Sequence, residues 1–275
     1  MLEIPEIMTI VQQLNSTIIG KEISKVIVNA SEHKFAFFYE DPKTYPNKLR
    51  GKKIEKAYSS GAFIEIEASD VRLTFADGAN LRYYPNSSEI PAKHQLLLGF
   101  SDDSALVVSV QMYGFIAAFK EGEYSNPYYL SSKTKPSPLS PAFSFDYFMK
   151  LVEGLPDHTS LKGFLATEQR IPGLGNGVLQ DILFNAKLHP KFKVATLNMD
   201  ELKVLYISVK ETLTSMTEKG GRDTEKNLFG KPGQYHTIMS AKHKDEPCPT
   251  CSSKIIKEAY MGGSIYTCPK CQSND

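Results

Sequence analysis

The chain has 275 residues, enough for two or three compact units, each with its own core. Its 41% hydrophobic and 23% charged residues are those of an ordinary folded soluble protein, and a net charge of +1 does not announce a polyanion partner unless the cations gather on one face. No apolar run approaches the roughly 18 residues needed to cross a bilayer. The acidic start, Met1-Leu2-Glu3-Ile4-Pro5-Glu6, lacks the positive flank and apolar stretch of a secretory signal, so the expectation is a cytoplasmic monomer with no membrane partner, nucleoid-associated if bacterial. There is no tryptophan; 14 Tyr and 15 Phe supply the aromatic bulk.

In chain order, apolar residues at Ile4, Ile7, Val11, Leu14 and Ile18 recur at helical spacing and predict an amphipathic helix closed by Gly20. Short β-like runs follow at Ile23–Val28, Phe63–Glu67, Val71–Phe75, Leu81–Tyr84, Gln95–Phe100 and Ala105–Phe119. Turn signals at Asp77-Gly78 and Ser101–Asp103 separate them, and many short strands at this spacing suggest a sandwich or barrel. Residues 124–142, with Pro127, Pro136, Pro138 and Pro141, read as a stiff, non-helical linker. Helical periodicity returns at Phe143–Val152, Leu161–Thr167, Asn176–Ala186 and Met199–Thr217, after which Gly220-Gly221 opens a polar loop. No internal repeat is seen.

All four cysteines lie in the last 28 residues. Cys248-Pro-Thr-Cys251 and Cys268-Pro-Lys-Cys271 are separated by 16 residues, and each pair places two thiolates on one tight turn. Between them, Ile255–Thr267 carries apolar and β-branched residues around Gly262-Gly263, the pattern of a hairpin returning the second turn to the first. Four sulfurs leave no open coordination position, so a zinc ion here is structural. The alternative, unrelated cysteines or local disulfides, does not explain the doubled motif.

Arg170-Ile-Pro-Gly173-Leu-Gly175-Asn176-Gly177 joins two predicted helices. Close glycines allow a sharp bend, and a helix N-terminus there attracts a phosphate through its amides and dipole. Asn176 could donate to that phosphate or cap the helix. From this segment alone, a tight helix connection with an N-cap and no ligand is the simpler reading. Gly220–Lys226, with Arg222, and Gly230–Gly233 mix glycine with cations, either a DNA-backbone loop or a solvated surface loop. Glu3 and Glu6 alone would serve as acidic residues at a helix start. His94 and His189 have no partner that suggests a metal or triad.

Together these pieces resemble the formamidopyrimidine-DNA glycosylase and endonuclease VIII family across essentially the whole chain. Four features match in order: Leu2-Glu3-Ile4-Pro5-Glu6, similar to the family's Pro-Glu-Leu-Pro-Glu; a β-rich first half; Gly173-Leu-Gly-Asn176 in a helical unit; and the terminal four-cysteine hairpin. The resemblance implies an α+β multidomain fold. Residues 1–123 would form an N-terminal helix plus β-sandwich and 124–142 a linker. Residues 143–240 would be a helix-two-turns-helix DNA-binding domain and 241–275 a zinc-ribbon finger.

It also implies a mechanism. The N-terminal amine attacks C1′ of a flipped, damaged nucleotide and forms a Schiff base, Glu3 shuttles protons, and elimination nicks the strand. Gly175, Asn176, Arg222 and the zinc hairpin would hold DNA, and Tyr113 would stack on a base. The partner is double-stranded DNA carrying damaged bases or abasic sites.

Five departures stand out. Leu2 replaces the proline nucleophile, Gly61-Ala62 falls where a lysine is expected, and Gly263 falls where an arginine is expected. Asp77 stands for a methionine wedge, and Gln111-Met112-Tyr113 covers the positions of an arginine and a phenylalanine. Initiator methionine ahead of Leu2 is not of the kind normally removed, and its retention moves the amine by up to about 3.8 Å. The expected function is a DNA glycosylase with abasic-site lyase action. The alternatives are a catalytically impaired lesion-binding protein and a zinc-ribbon protein acting on RNA or another protein.

Overall fold

The computed structural model describes residues 1–273. It divides into two compact units: Met1–Thr134 with Gly220–Gly233, and Lys135–Lys219 with the chain from Gln234 onward.

In the first unit, α1 (Ile4–Thr17) starts with Pro5 in its first turn, where the missing amide has no partner to lose. Its buried face is Ile7, Ile10, Val11 and Leu14, and it ends with Gly20 at φ +83°, the left-handed exit that glycine adopts without strain. The strands are β1 (Ile23–Val28), β2 (Ala36–Phe38), β3 (Ile54–Ser60), β4 (Phe63–Ala68), β5 (Val71–Tyr84), β6 (Leu96–Phe100) and β7 (Ala105–Lys120). Between β2 and β3, α2 (Tyr45–Leu49) seats Tyr45 and Leu49 in the core. The seven strands form one sheet, ordered β1-β6-β7-β5-β4-β3, with β2 parallel to β7.

β5 and β7 belong to both halves of this sheet. Val71–Asp77 pairs with Gly114–Lys120, and Ala79–Tyr84 pairs with Ala105–Val110. Buried residues from both halves, among them Leu96, Leu98 and Leu106 on one side and Ile54, Ile64 and Ile66 on the other, join a single core with α1. The expected sandwich is therefore one sheet whose halves close over a shared interior. Leu228, on the returning segment, also enters that core; its carbonyl accepts the Tyr83 N–H at 2.9 Å.

Two sequence expectations are corrected here. Val71–Phe75 and Leu81–Tyr84 are one strand, and Asp77-Gly78 is a β-bulge within it, not a hairpin turn. Asp77 takes φ +58°, and a Cβ on Gly78 would stand 2.3 Å from the Gln111 carbonyl oxygen, so the two strands close on a residue without a side chain. The stretch read as a non-helical linker contains α3 (Pro127–Thr134). Asn126 caps it by accepting from the Tyr128 and Tyr129 amides, Pro127 occupies the tolerated first position, and Tyr129 is buried against Phe63 and Phe119. Proline content alone hid a helix start.

In the second unit, Ser144 caps α4 (Phe145–Val152) by accepting from Tyr147 N–H. Leu161–Thr167, read as helical, ends in a π-helical turn over Gly163–Thr167. α5 (Asn176–Asn185) packs Ile182 against α6 (Met199–Glu218), where the Ser208 hydroxyl donates to the Ile182 carbonyl at 2.7 Å. A capping box of Asn198 and Glu201 opens α6. Its expected companion segment, Gly220–Gly233, groups instead with the first unit, interrupting the run 143–240. The hairpin β8 (Ile256–Tyr260) and β9 (Gly263–Thr267) turns at Met261-Gly262, both at positive φ as a tight hairpin turn requires.

Candidate nucleic-acid interface and metal centre

The four cysteine sulfurs of the second unit lie within 4.8 Å of one another and none is in a disulfide. Cys251 and Cys268 approach to 3.3 Å and Cys248 and Cys271 to 3.9 Å, close to the spacing of sulfurs at the corners of a tetrahedron around one ion. Each pair sits on a turn closed by its own backbone: Ser252 N–H donates to the Cys248 carbonyl and Gln272 N–H to that of Cys268. Burial pushes the Cys268 thiol up, and the Cys271 N–H pointing at its sulfur at 3.4 Å works the other way, toward a thiolate. The donor set fits a metal ion held by four sulfurs. Beneath it Phe184, Met239, Ile255 and Tyr266 form a small apolar cluster, too little core to hold the turns unaided.

The glycine-asparagine turn is tied to this hairpin. Gly173 takes φ +81°, and Gly175, not Asn176, occupies the N-cap of α5. The Asn176 side chain instead donates to the Ser264 carbonyl at 3.0 Å. One turn on, Gln180 accepts the Tyr266 N–H at 3.0 Å and donates to the Asn176 carbonyl. Lys162, only 2% exposed, donates to the Tyr260 carbonyl at 2.6 Å, and burial pulls its ammonium below the usual lysine range. A Cβ on Gly263 would stand 3.3 Å from that ammonium. The hairpin tip that lacks an arginine thus already carries a cation from the helical segment.

In the first unit, Glu3 is the N-cap of α1 and is buried. Arg222 is 3% exposed; its Nε and Nη2 donate to the two Glu6 oxygens at 3.0 and 2.7 Å, and its Nη1 lies 3.5 Å from a Glu3 oxygen. Burial alone would lower the guanidinium's proton affinity, but Glu3 and Glu6 raise it above the ordinary arginine value. Buried and paired with Glu6, Arg222 presents almost none of its guanidinium to solvent, unlike the solvated or backbone-tracking cation that its glycine-rich surroundings suggest. Leu2 N–H donates to the Asp77 carbonyl at 2.9 Å, and the amine belongs to Met1, 2.6 Å from the Glu225 carboxylate. With Met1 in place the Leu2 nitrogen is an amide and not a nucleophile.

Opposite Gly78, β7 bulges out as Gln111-Met112-Tyr113. Met112 is 73% exposed with φ +62°, and Tyr113 is 43% exposed, so both side chains are available for contact. Gly61-Ala62, where a lysine was sought, is the tight turn between β3 and β4, with Gly61 at φ +59°. His94 and His189 are buried; His94 Nδ1 lies 3.0 Å from the Pro91 carbonyl, and burial lowers the proton affinity of His189. Sequence reasoning passed over Lys162, gave Glu6 only the reading of an acidic helix start, and gave Met112 no role of its own. A lone charge inside the apolar run Leu161–Ala166 was the available sign for Lys162; nothing local marked Glu6 as the partner of Arg222.

The chain matches the formamidopyrimidine-DNA glycosylase N-terminal domain over residues 1–146 and the formamidopyrimidine-DNA glycosylase H2TH domain over residues 135–227. The formamidopyrimidine-DNA glycosylase of Brevibacillus brevis is 28% identical over 280 residues, with 100% of each chain covered. That of Mycoplasma mobile is 28% identical with 99% of each covered. Among solved structures, the MutM (Fpg) protein from Thermus thermophilus superposes with a TM-score of 0.82 at 22% identity, covering 99% of both chains. Lactococcus lactis Fpg in complex with DNA containing an abasic site gives 0.83 at 23%, covering 99% of this chain and 100% of that one. No helix among the described residues is long and apolar enough to cross a membrane. From its first residues through the helical segment, the chain belongs to the formamidopyrimidine-DNA glycosylase family.

Proposed function

We propose that this protein is a DNA glycosylase of base-excision repair, releasing damaged bases from duplex DNA and nicking the strand at the resulting abasic site. The observation that carries the reading is Glu3: a buried carboxylate at the head of α1, next to the chain's first residues, in a chain of this family. Proton transfer to and from the sugar and the departing base needs a carboxylate near the attacking amine. That amine adds to C1′, the base leaves, and the Schiff base lets the 3′ phosphate be eliminated. Removal of Met1 would make Leu2 the reacting residue; Leu2 and Glu3 are the proposed catalytic pair. Relatives of this length and name support the assignment, and Lactococcus lactis Fpg has been captured on abasic-site DNA.

The remaining roles follow from chemistry. Gly175 and Asn176, at the positive end of α5, suit a phosphate. Exposed Tyr113, with Met112, suits a base face or the gap left by an extruded base. The metal is proposed to be zinc and structural, since Cys248, Cys251, Cys268 and Cys271 are soft ligands that fill a tetrahedral shell. Its chemistry when bound is to hold the two turns together. The protein is proposed to work as a monomer in the cytoplasm or on the nucleoid. A catalytically impaired lesion-binding protein is not favoured, because Glu3 offers a buried carboxylate at the head of α1 beside the chain's first residues.

Borohydride trapping on a duplex with one abasic site tests the reading. A covalent adduct of protein and DNA, with strand nicking when borohydride is omitted, is expected. Tight binding with neither adduct nor nick would sink it.

A further inference from the structure

We propose that Arg222 is a positioning residue for the Glu3 carboxylate, and that Glu6 is the counter-charge that aims it. The inference rests on the reading of Glu3 as the proton shuttle. A guanidinium is a rigid planar fork. Two of its nitrogens are fixed on the Glu6 oxygens at 3.0 and 2.7 Å, and the third is thereby directed at Glu3, 3.5 Å away. Arg222 also donates its backbone N–H to Glu6 at 3.0 Å, so the carboxylate grips the residue by main chain and side chain together.

The segment carrying the arginine is built for this approach. Gly221 has φ +95°, and a Cβ there would stand 3.3 Å from a Glu6 oxygen. A Cβ on Gly233 would stand 2.0 Å from the Gly221 carbonyl oxygen, so the two ends of the returning segment close on each other only as glycines. Gly233 N–H donates to the Arg222 carbonyl at 3.1 Å, completing the closure. Such bracing of a cation that is almost fully buried is more than a surface ion pair needs.

A buried carboxylate without a cation holds its proton to higher pH, and one facing a guanidinium stays ionised. The charged groups around Glu3 and Arg222 include Glu6 on α1, Asp223 next in the chain and Glu225 on the same returning segment, the terminal ammonium at 2.6 Å from Glu225, and Arg82 of β5 near Glu225. Two carboxylates and one guanidinium leave the inner set acidic. Removing Arg222 therefore drives Glu3 toward its protonated form, in which it cannot accept a proton.

The test is the pH profile of single-turnover nicking on an abasic-site duplex by Arg222→Met, Arg222→Lys and the double variant Glu6→Leu/Arg222→Met. The double variant leaves no Glu6 charge unpaired and keeps the test alive if the single variant unfolds. The acid limb is expected to move up by about one to two pH units in the Met variants, slowing nicking about tenfold or more near pH 6, with recovery at higher pH. Arg222→Lys is expected to fall between these and the wild type. Affinity for a duplex with an uncleavable tetrahydrofuran site should stay near that of the wild type. A wild-type pH profile in a folded Met variant, whatever its absolute rate, overturns the proposal. A wild-type protein that never nicks overturns the functional reading itself, which is a different result.

Discussion

Asn176 donates its side-chain amide to the carbonyl of Ser264 at 3.0 Å, which makes the first turn of α5 and strand β9 of the metal hairpin one hydrogen-bonded object. The residue expected on a phosphate therefore has a second task. Replacing it with alanine removes two hydrogen bonds, the one to the Ser264 carbonyl and the one accepted from the Gln180 amide, each about 1 kcal/mol, and the proposed phosphate contact. Asn176→Ala is expected to bind abasic-site duplex about tenfold more weakly, with a salt dependence shallower by about one counterion. Fluorescence anisotropy across a salt series measures both. Wild-type affinity at every salt concentration would contradict the phosphate role.

Metal removal should act on the hairpin first. The chain is expected to bind one zinc ion, and a strong chelator or Cys268→Ser should disorder residues 248–271 while the β-sheet unit keeps its structure. Elemental analysis gives the metal content and amide NMR locates the disorder. A chelated protein with an intact hairpin spectrum would show that the sulfurs hold together without an ion.

Glu3→Gln keeps the size of the side chain and removes its charge. Base release and nicking are expected to fall by about 10²–10⁴-fold, the usual worth of a general acid or base. Binding to tetrahydrofuran-site duplex should be retained. Rates within twofold of the wild type would remove Glu3 from the mechanism.

Tyr113→Ala should weaken binding to abasic-site duplex by about 1–3 kcal/mol, the worth of one stacked base. Unchanged binding of this folded variant, read in the same anisotropy assay, would mean that the exposed bulge does not meet DNA.

Gly78→Ala forces a methyl group into the backbone of Gln111 and Tyr113, at 2.3 and 2.4 Å from their carbonyl oxygens. A loss of stability of about 1–3 kcal/mol or more is expected from such overpacking, seen as a lower melting temperature. An unchanged melting temperature would mean that the bulge relaxes freely.

Much of this molecule was legible in one sequence because its strongest signals are local. The cysteine pairs, the α1 stripe of Ile7, Val11 and Leu14, and the Gly173–Asn176 turn each declare themselves within a few residues. What escaped is what depends on distant partners. Asp77-Gly78 has the composition of a turn, but the crossing strand 111–113 turns it into a bulge. Arg222 among glycines looks like a solvated cation until α1, more than two hundred residues earlier, supplies Glu6. Pro127 reads as a breaker unless Asn126 before it and buried Tyr129 after it are counted as cap and anchor.

The return of Gly220–Gly233 to the sheet unit has a consequence for biosynthesis. A ribosome releases α1 and all seven sheet strands well before it makes Leu228, which fills the core, and Arg222, which neutralises Glu6 and faces Glu3. Until then the nascent chain lacks the guanidinium that pairs with Glu6, and its interior is short of one side chain. The N-terminal half therefore matures only after the helical segment from 135 to 219 has been translated, and the proposed acid–base end of the enzyme is the last part of that half to be assembled.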